Sequence, residues 1–272
     1  MRNYDNLICP RCGCRLSREG GSLYCFGRHC YDIASSGYVN LVLSGSKAQD
    51  NSGDNKDMMQ ARRRVMDSGY YAKLADELIK LIESYPHENI LDIGCGEGYI
   101  TGRIATAFEN SAVRGSDLSK VAITLADKRY KQASFIVGNS ASLPIAESSV
   151  DVAVAVFTPT YFAELDRVLK RGGVFIKIAP AAEHLMGVKE LLYEDTYENA
   201  QTIENLPESF TQVKHLTITD SYTAEGSLVG DLLHMTPYYY KTPKEAVKRV
   251  SSMPKVTTEL AFDVKVYVKH GA

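Results

Sequence analysis

The segment Ile90-Leu91-Asp92-Ile93-Gly94-Cys95-Gly96-Glu97-Gly98 constrains this chain more than any other. An apolar run that ends in alternating glycines and passes into a helical pattern reads as a strand, a tight turn and a helix. The glycines let backbone approach a ligand closely, and the start of the helix offers unpaired N–H groups. A second strand follows and ends in Gly115-Ser116-Asp117-Leu118-Ser119. A carboxylate at that place, Asp117, can accept both hydroxyls of a ribose.

The spacing inside the turn narrows the ligand. A dinucleotide fingerprint is G-x-G-x-x-G, which aims a helix dipole at a pyrophosphate. This chain has G-x-G-x-G preceded by Asp92, which repels phosphate and can pair with an ammonium group. S-adenosylmethionine carries an ammonium and no phosphate, so a methyl-donor site is favoured over a dinucleotide dehydrogenase.

The flanking sequence supplies a scaffold. Strands read at Asn89–Ile93, Ala112–Asp117, Ser134–Val137, Val150–Phe157 and Val174–Ala179, with helices at about Tyr99–Phe108, Lys120–Lys131 and Phe162–Lys170. Short apolar strands separated by such helices predict a parallel sheet covered on both faces. Upstream, helical patterns begin at Asp57 and about Tyr70. Downstream come a helix over His184–Tyr197, a strand over Gln212–Asp220, helices, and a last strand over Glu259–Val268. The expected organisation is a small module over 1–45, a linker and helices over 46–85, and the α/β domain over 86–272. The polar stretch 46–56 serves as the linker.

Five of the six cysteines, Cys9, Cys12, Cys14, Cys25 and Cys30, lie within the first 30 residues. In a reducing compartment such a cluster points to metal rather than disulfides. Cys9-Pro10-Arg11-Cys12 followed by Cys25-Phe26-Gly27-Arg28-His29 has the C-x-x-C, loop, C-x-x-x-H spacing of a structural zinc site. Cys14 and Cys30 remain rivals to Cys12 and His29 as ligands.

No apolar run is long enough to cross a bilayer, and the N-terminus has no signal-peptide pattern, so a cytoplasmic protein is expected. The net charge of −2 offers no global basic field for nucleic acid. Residues 1–80 nevertheless hold 12 Lys+Arg against 9 Asp+Glu, and the run Arg62-Arg63-Arg64 could neutralise phosphates.

With these motifs together, the second half resembles class I methyltransferases, whose fold is a seven-stranded Rossmann-like α/β domain. In that fold Gly138-Asn139-Ser140 stands where the adenine amino group is held, with Asn139 in place of a frequent Asp. The whole chain resembles the RlmA family, the 23S rRNA guanine-N1-methyltransferases. The markers are the zinc spacing, Gly37-Tyr38-Val39-Asn40-Leu41, Met58-Met59-Gln60-Ala61-Arg62-Arg63, Asp92–Tyr99, Ser119-Lys120-Val121-Ala122-Ile123, His184-Leu185-Met186 and Met235-Thr236-Pro237.

The resemblance implies methylation of a guanine of the 745/748 type in the helix 35 region of 23S rRNA. It also implies structural Zn2+ on Cys9, Cys12, Cys25 and His29. Tyr71, Ile100, Thr101 and His184 match positions lining the family's cofactor pocket. With Asp92, Gly94, Gly96, Gly98, Asp117, Leu118, Asn139 and Ser140 they form the expected cofactor set. Arg62, Arg63, Arg64 and Phe157 form the expected RNA set, Phe157 by stacking on a flipped base. The loop Phe157-Thr158-Pro159-Thr160 contains no carboxylate, so no general base is assigned. A homodimer is left open, and no membrane partner is expected. The rival readings are a methyltransferase of a small molecule such as a quinone, and a non-catalytic RNA-binding protein.

Overall fold

The computed structural model describes residues 3–43, 56–193, 199 and 206–271. Residues 46–55 of the expected linker lie outside them, as do residues 194–197 of the expected His184–Tyr197 helix. The N-terminal part forms β1 (Leu16–Glu19), β2 (Ser22–Cys25), β3 (Cys30–Asp32) and β4 (Val39–Asn40). Helices α1 (Lys56–Asp67) and α2 (Ala72–Glu83) come next. The alternating part contains β5 (Asn89–Ile93), α3 (Tyr99–Ala107), β6 (Ala112–Asp117), α4 (Lys120–Arg129), β7 (Ser134–Val137), β8 (Val150–Val156), α5 (Phe162–Val168) and β9 (Leu169–Pro180). It is followed by α6 (Met186–Leu192), β10 (Phe210–Glu225), α7 (Ser227–His234), α8 (Tyr238–Lys241), α9 (Lys244–Ser251) and β11 (Lys255–Lys269).

One sheet organises the molecule, in the order β10-β11-β9-β8-β5-β6-β7-β4. The strands from β9 to β4 run parallel, while β11 is antiparallel to both β9 and β10. Strand β8, Val-Asp-Val-Ala-Val-Ala-Val, is buried along nearly its whole length, as a strand covered on both faces must be. On one face α2 presents Leu74, Ala75, Leu78, Leu81 and Ile82 at helical spacing to a core shared with Ile100, Ile104, Ile123 and Ala126. Strand order reverses at β5, which pairs with β6 on one side and β8 on the other. In open α/β sheets the crevice beyond the carboxyl ends of such strands is where ligands bind.

Seven strands form the expected methyltransferase sheet; the eighth, β4, comes from the N-terminal module. The crossover from β7 to β8 carries no helix, and the zinc-module side chains Leu7, Cys9, Leu16, Leu23 and Cys25 cover that face instead. They share a core with Ile136, Leu143, Ile145 and Leu165. Backbone bonds seal the contact: Ile8 N donates to Pro144 O (3.1 Å), Ala146 N to Asn6 O (2.7 Å) and Leu41 N to Val137 O (2.9 Å). Arg114 of β6 is buried and donates to the Asp5 carbonyl at 2.7 Å. Its burial lowers the guanidinium to about 10. The module is therefore part of the catalytic domain's core, not a bead on a tether.

Candidate functional site

The glycine turn leaves β5 with Gly94 at φ +70° and reaches α3 through Gly98 at φ +83°. A side chain at Gly94 would be strained twice. Its backbone sits in the left-handed region, and a Cβ there would lie 2.1 Å from Thr158 Oγ1. The turn is closed by Asp117, which accepts from Gly96 N at 2.9 Å and from Ser119 N at 2.8 Å. Asp117 thus stands at the end of β6 beside the turn, as the sequence leads one to expect, and its carboxylate ties the turn to β6.

Asp92 is 1% exposed and accepts from the Thr101 hydroxyl at 2.6 Å. Burial pushes its carboxyl up to about 7; the Thr101 bonds oppose this and the charge of Asp117 adds to it. Among the described residues its hydrogen-bond partner is Thr101, and no cationic group is bonded to it. A cleft of about 270 Å³ brings together Tyr71, Asp92, Gly94, Gly96, Ile100 and Asp117. A neighbouring hollow of about 200 Å³ is lined by Asp117, Leu118, Asn139 and Ser140. Asn139 Oδ1 accepts from Ala141 N at 2.9 Å, so its acceptor already serves a local turn. Gly98 lies in neither lining and acts as the left-handed start of α3. Thr101 is fully buried and reaches the site through Asp92.

A larger chamber of about 830 Å³ opens beside the cleft. Arg62, Tyr71, Phe157 and Thr158 line both spaces and form the boundary they share. Phe157 follows β8 at φ +56°, is 41% exposed, and meets Tyr71 and His184 edge-on at centroid distances of 6.2 and 5.4 Å. A non-glycine residue held there carries backbone strain. His184, 4% exposed, accepts from Ala261 N at Nδ1 (3.2 Å), while Nε2 faces the Tyr70 hydroxyl at 3.4 Å. Burial lowers its pKa to about 4, so at neutral pH it is the uncharged Nε2–H tautomer. It cannot take a proton from a substrate while Nδ1 holds the Ala261 amide.

The three arginines of α1 diverge. Arg64 forms a two-pronged pair with Asp231 of α7, at 2.6 and 2.7 Å. Arg63 is half-buried, and its charge, with those of Arg129 and Arg62, partly offsets the burial that pushes Glu97 up to about 7. Arg62 points into the cleft and chamber. Several lining residues were not singled out from the sequence: Thr158, Lys177 of β9, and Glu97. Thr158 follows the fourth strand of the alternating part, a position whose general importance was legible although its own side chain was not.

At the other end of the molecule, Cys9, Cys12, Cys25 and His29 bring their ligand atoms within 4.8 Å of one another. The edges Cys12 Sγ–Cys25 Sγ (3.6 Å), Cys9 Sγ–His29 Nδ1 (3.4 Å) and Cys25 Sγ–His29 Nδ1 (3.4 Å) have the size of a zinc tetrahedron. Bonds of about 2.3 Å to sulfur and about 2.0 Å to nitrogen give edges of roughly 3.5–3.8 Å. Tyr31 donates its hydroxyl to Cys9 Sγ at 3.1 Å, an outer contact that steadies the thiolate. Cys14 and Cys30 stand outside the cluster, which resolves the rivalry in favour of Cys12 and His29.

Comparison with known proteins agrees with both halves. The family description "RlmA, N-terminal", a zinc ribbon, matches residues 7–47, and "Methyltransferase domain" matches residues 90–173. A Streptomyces fradiae protein named 23S rRNA (guanine(748)-N(1))-methyltransferase is 28% identical over 95% of each chain. A Bacillus subtilis (strain 168) protein, provisionally named a 23S rRNA (guanine-N(1)-)-methyltransferase, is 29% identical over 98% of each chain. The chain is thus similar to RlmA-type 23S rRNA guanine-N1-methyltransferases over nearly its whole length. Its fold is also that of a Haemonchus contortus phosphoethanolamine N-methyltransferase, with a TM-score of 0.51 at 15% identity over 94% of this chain and 71% of that one. The methyltransferase-domain match, the zinc-ribbon match and the Cys/His cluster together make the protein a methyltransferase that uses S-adenosylmethionine and carries structural zinc. No helix among the described residues is long and apolar enough to cross a membrane.

Proposed function

We propose that this protein methylates N1 of a guanine in 23S rRNA, with the base drawn out of its helix into the 830 Å³ chamber. The carrying observation is the boundary of Arg62, Tyr71, Phe157 and Thr158 that the chamber shares with the glycine-turn cleft. The cleft and the neighbouring hollow carry groups suited to S-adenosylmethionine: Asp92 for the ammonium, Asp117 for the ribose, and Leu118, Asn139 and Ser140 for the adenine. When bound there, the cofactor supplies an electrophilic methyl on a sulfonium.

The chain's own contribution is placement and charge. A base extruded into the chamber meets the edge of Phe157 and the Tyr71 ring, and stacking of this kind holds flipped bases in other enzymes. Guanine N1 carries a proton at neutral pH, and its loss leaves negative charge that spreads to O6. His184 is unsuited to remove that proton, and no Asp or Glu lines the chamber among the described residues. Lys177 supplies positive charge to the wall. Electrostatic stabilisation of the developing anion, with the proton leaving to water, therefore suits this chamber better than a carboxylate base. Arg63 remains the α1 arginine best suited to a phosphate, while Arg64 is engaged with Asp231. The rigidly docked zinc ribbon would hold a second part of the RNA at a set distance from the reacting base.

The test is incubation of the zinc-loaded protein with methyl-labelled cofactor and a 23S rRNA transcript. Label in 1-methylguanosine after nucleoside digestion is expected. Label in a small quinone acceptor instead, with none in RNA, would favour the small-molecule reading.

A further inference from the structure

Arg62 stands in an unusual place for a member of a basic run. Among the described residues, the cleft beside the glycine turn is lined by three carboxylates, Asp92, Glu97 and Asp117, and by one cationic side chain, Arg62. Its Nη1 lies 3.7 Å from where a Cβ on Gly96 would sit, so the guanidinium lies against the turn itself. Gly96 meets nothing else within 4 Å on that side. Arg62 also lines the adjoining chamber, as Tyr71 does.

We infer that Arg62 binds the carboxylate of the cofactor's methionine moiety and so completes a two-ended clamp on its amino-acid zwitterion. The inference rests on the S-adenosylmethionine reading above and deepens it. The ligand's methionine end carries one positive and one negative charge. Asp92, buried at the end of β5, answers the ammonium. The carboxylate would otherwise enter a cleft walled by Asp92, Glu97 and Asp117, where like charges repel it. Arg62 is the one lining group that can offset this, and its planar fork matches a carboxylate through two parallel N–H···O bonds. The local scaffold holds it in position. Arg64, two residues along α1, is pinned to Asp231 of α7, and the neighbouring Ala61, Met58 and Met59 are buried. The helix is thereby held with residue 62 toward the turn and residue 64 toward α7. The sequence run of three arginines would then divide by function: one for the cofactor, one for the fold, and Arg63 for RNA.

The experiment is calorimetric binding of S-adenosylhomocysteine to the full-length, zinc-loaded protein, compared with its decarboxylated analogue, in which hydrogen replaces the carboxylate. Wild type, Arg62→Met and Arg62→Lys are titrated with both. Arg62→Met should weaken S-adenosylhomocysteine by about 10- to 100-fold, the scale for losing a hydrogen-bonded ion partner. It should leave the analogue within about twofold, because that ligand has nothing for Arg62 to hold. Arg62→Lys should recover part of the loss, since it keeps the charge without the fork. Equal weakening of both ligands would overturn the inference and make Arg62 a structural support of the cleft. Unchanged binding of both, with a shallower salt dependence of RNA affinity, would also overturn it and return Arg62 to the phosphates. Failure of the wild-type protein to bind S-adenosylhomocysteine would remove the cofactor reading itself, and the inference with it.

Discussion

Asp92→Asn should make the ligand-free protein more stable while removing its methyl donor. Asp92 is buried, and its carboxyl is pushed from 3.8 to about 7 by that burial. A folded-state pKa raised above the unfolded one means that stability is fully present below the unfolded value. It is lost progressively as pH rises toward the folded value. Above about pH 7 both states are ionised and the folded one bears the whole cost, about 4 kcal/mol at 1.36 kcal/mol per pKa unit. Asparagine keeps the shape and can still accept from the Thr101 hydroxyl, but does not ionise. Its advantage over aspartate should therefore grow by about 2 kcal/mol between about pH 5.5 and pH 7, then level off by about pH 8.5. In a chain of this size that is a shift of roughly 4–8 °C in the difference between melting temperatures. The assay is thermal melting of both proteins across that pH range, with and without S-adenosylhomocysteine. Ligand should raise the melting temperature of wild type and leave that of Asp92→Asn nearly unmoved. A difference that does not change with pH, or a variant that keeps the full ligand shift, would refute the reasoning.

Gly94→Ala should reduce S-adenosylhomocysteine binding by more than about tenfold and lower the melting temperature, because the new methyl would strike Thr158 from a strained backbone; calorimetry and melting check both. Zinc removal by a chelator, or Cys25→Ser, should unfold the N-terminal ribbon and uncover Leu143, Ile145 and Leu165. Increased binding of a hydrophobic dye together with loss of RNA affinity is the expected readout. Arg64→Ala should cost no more than about 1 kcal/mol, as for other exposed pairs, and leave the salt dependence of RNA binding unchanged; urea unfolding and filter binding measure the two.

The parts of the fold carried by burial on both strand faces were open to reading from residues alone. Asn89–Ile93, Ala112–Asp117 and Ser134–Val137 coincide with β5, β6 and β7 because apolar runs bounded by turns leave few alternatives. The cleft at the glycine turn was legible for the same reason, since Gly94, Gly96 and Asp117 sit at or just beyond strand ends. What the residues could not disclose depends on contacts between distant segments. The two-residue strand β4 exists because β7 offers it a parallel edge, and local propensity says nothing of that. The split fate of Arg62, Arg63 and Arg64 is set by Asp231, 167 residues from Arg64. Choice between His29 and Cys30 turned on ladder geometry. Cys30 pairs with Tyr24 across β2 and β3 and is exposed, while His29 sits at the turn beside Cys25. Phe157 drew notice as an aromatic in the target loop, but its left-handed backbone and its edge contacts with Tyr71 and His184 appear only once β8 and β9 are paired.

The most direct measurement of the central claim is primer extension on 23S rRNA after treatment with the protein and S-adenosylmethionine. A methyl on guanine N1 blocks the Watson–Crick edge, so reverse transcriptase should stop at one guanine of the helix 35 hairpin. The stop should depend on added cofactor and vanish with Asp92→Asn. Full-length read-through across that hairpin, with cofactor consumed on another acceptor, would contradict the account.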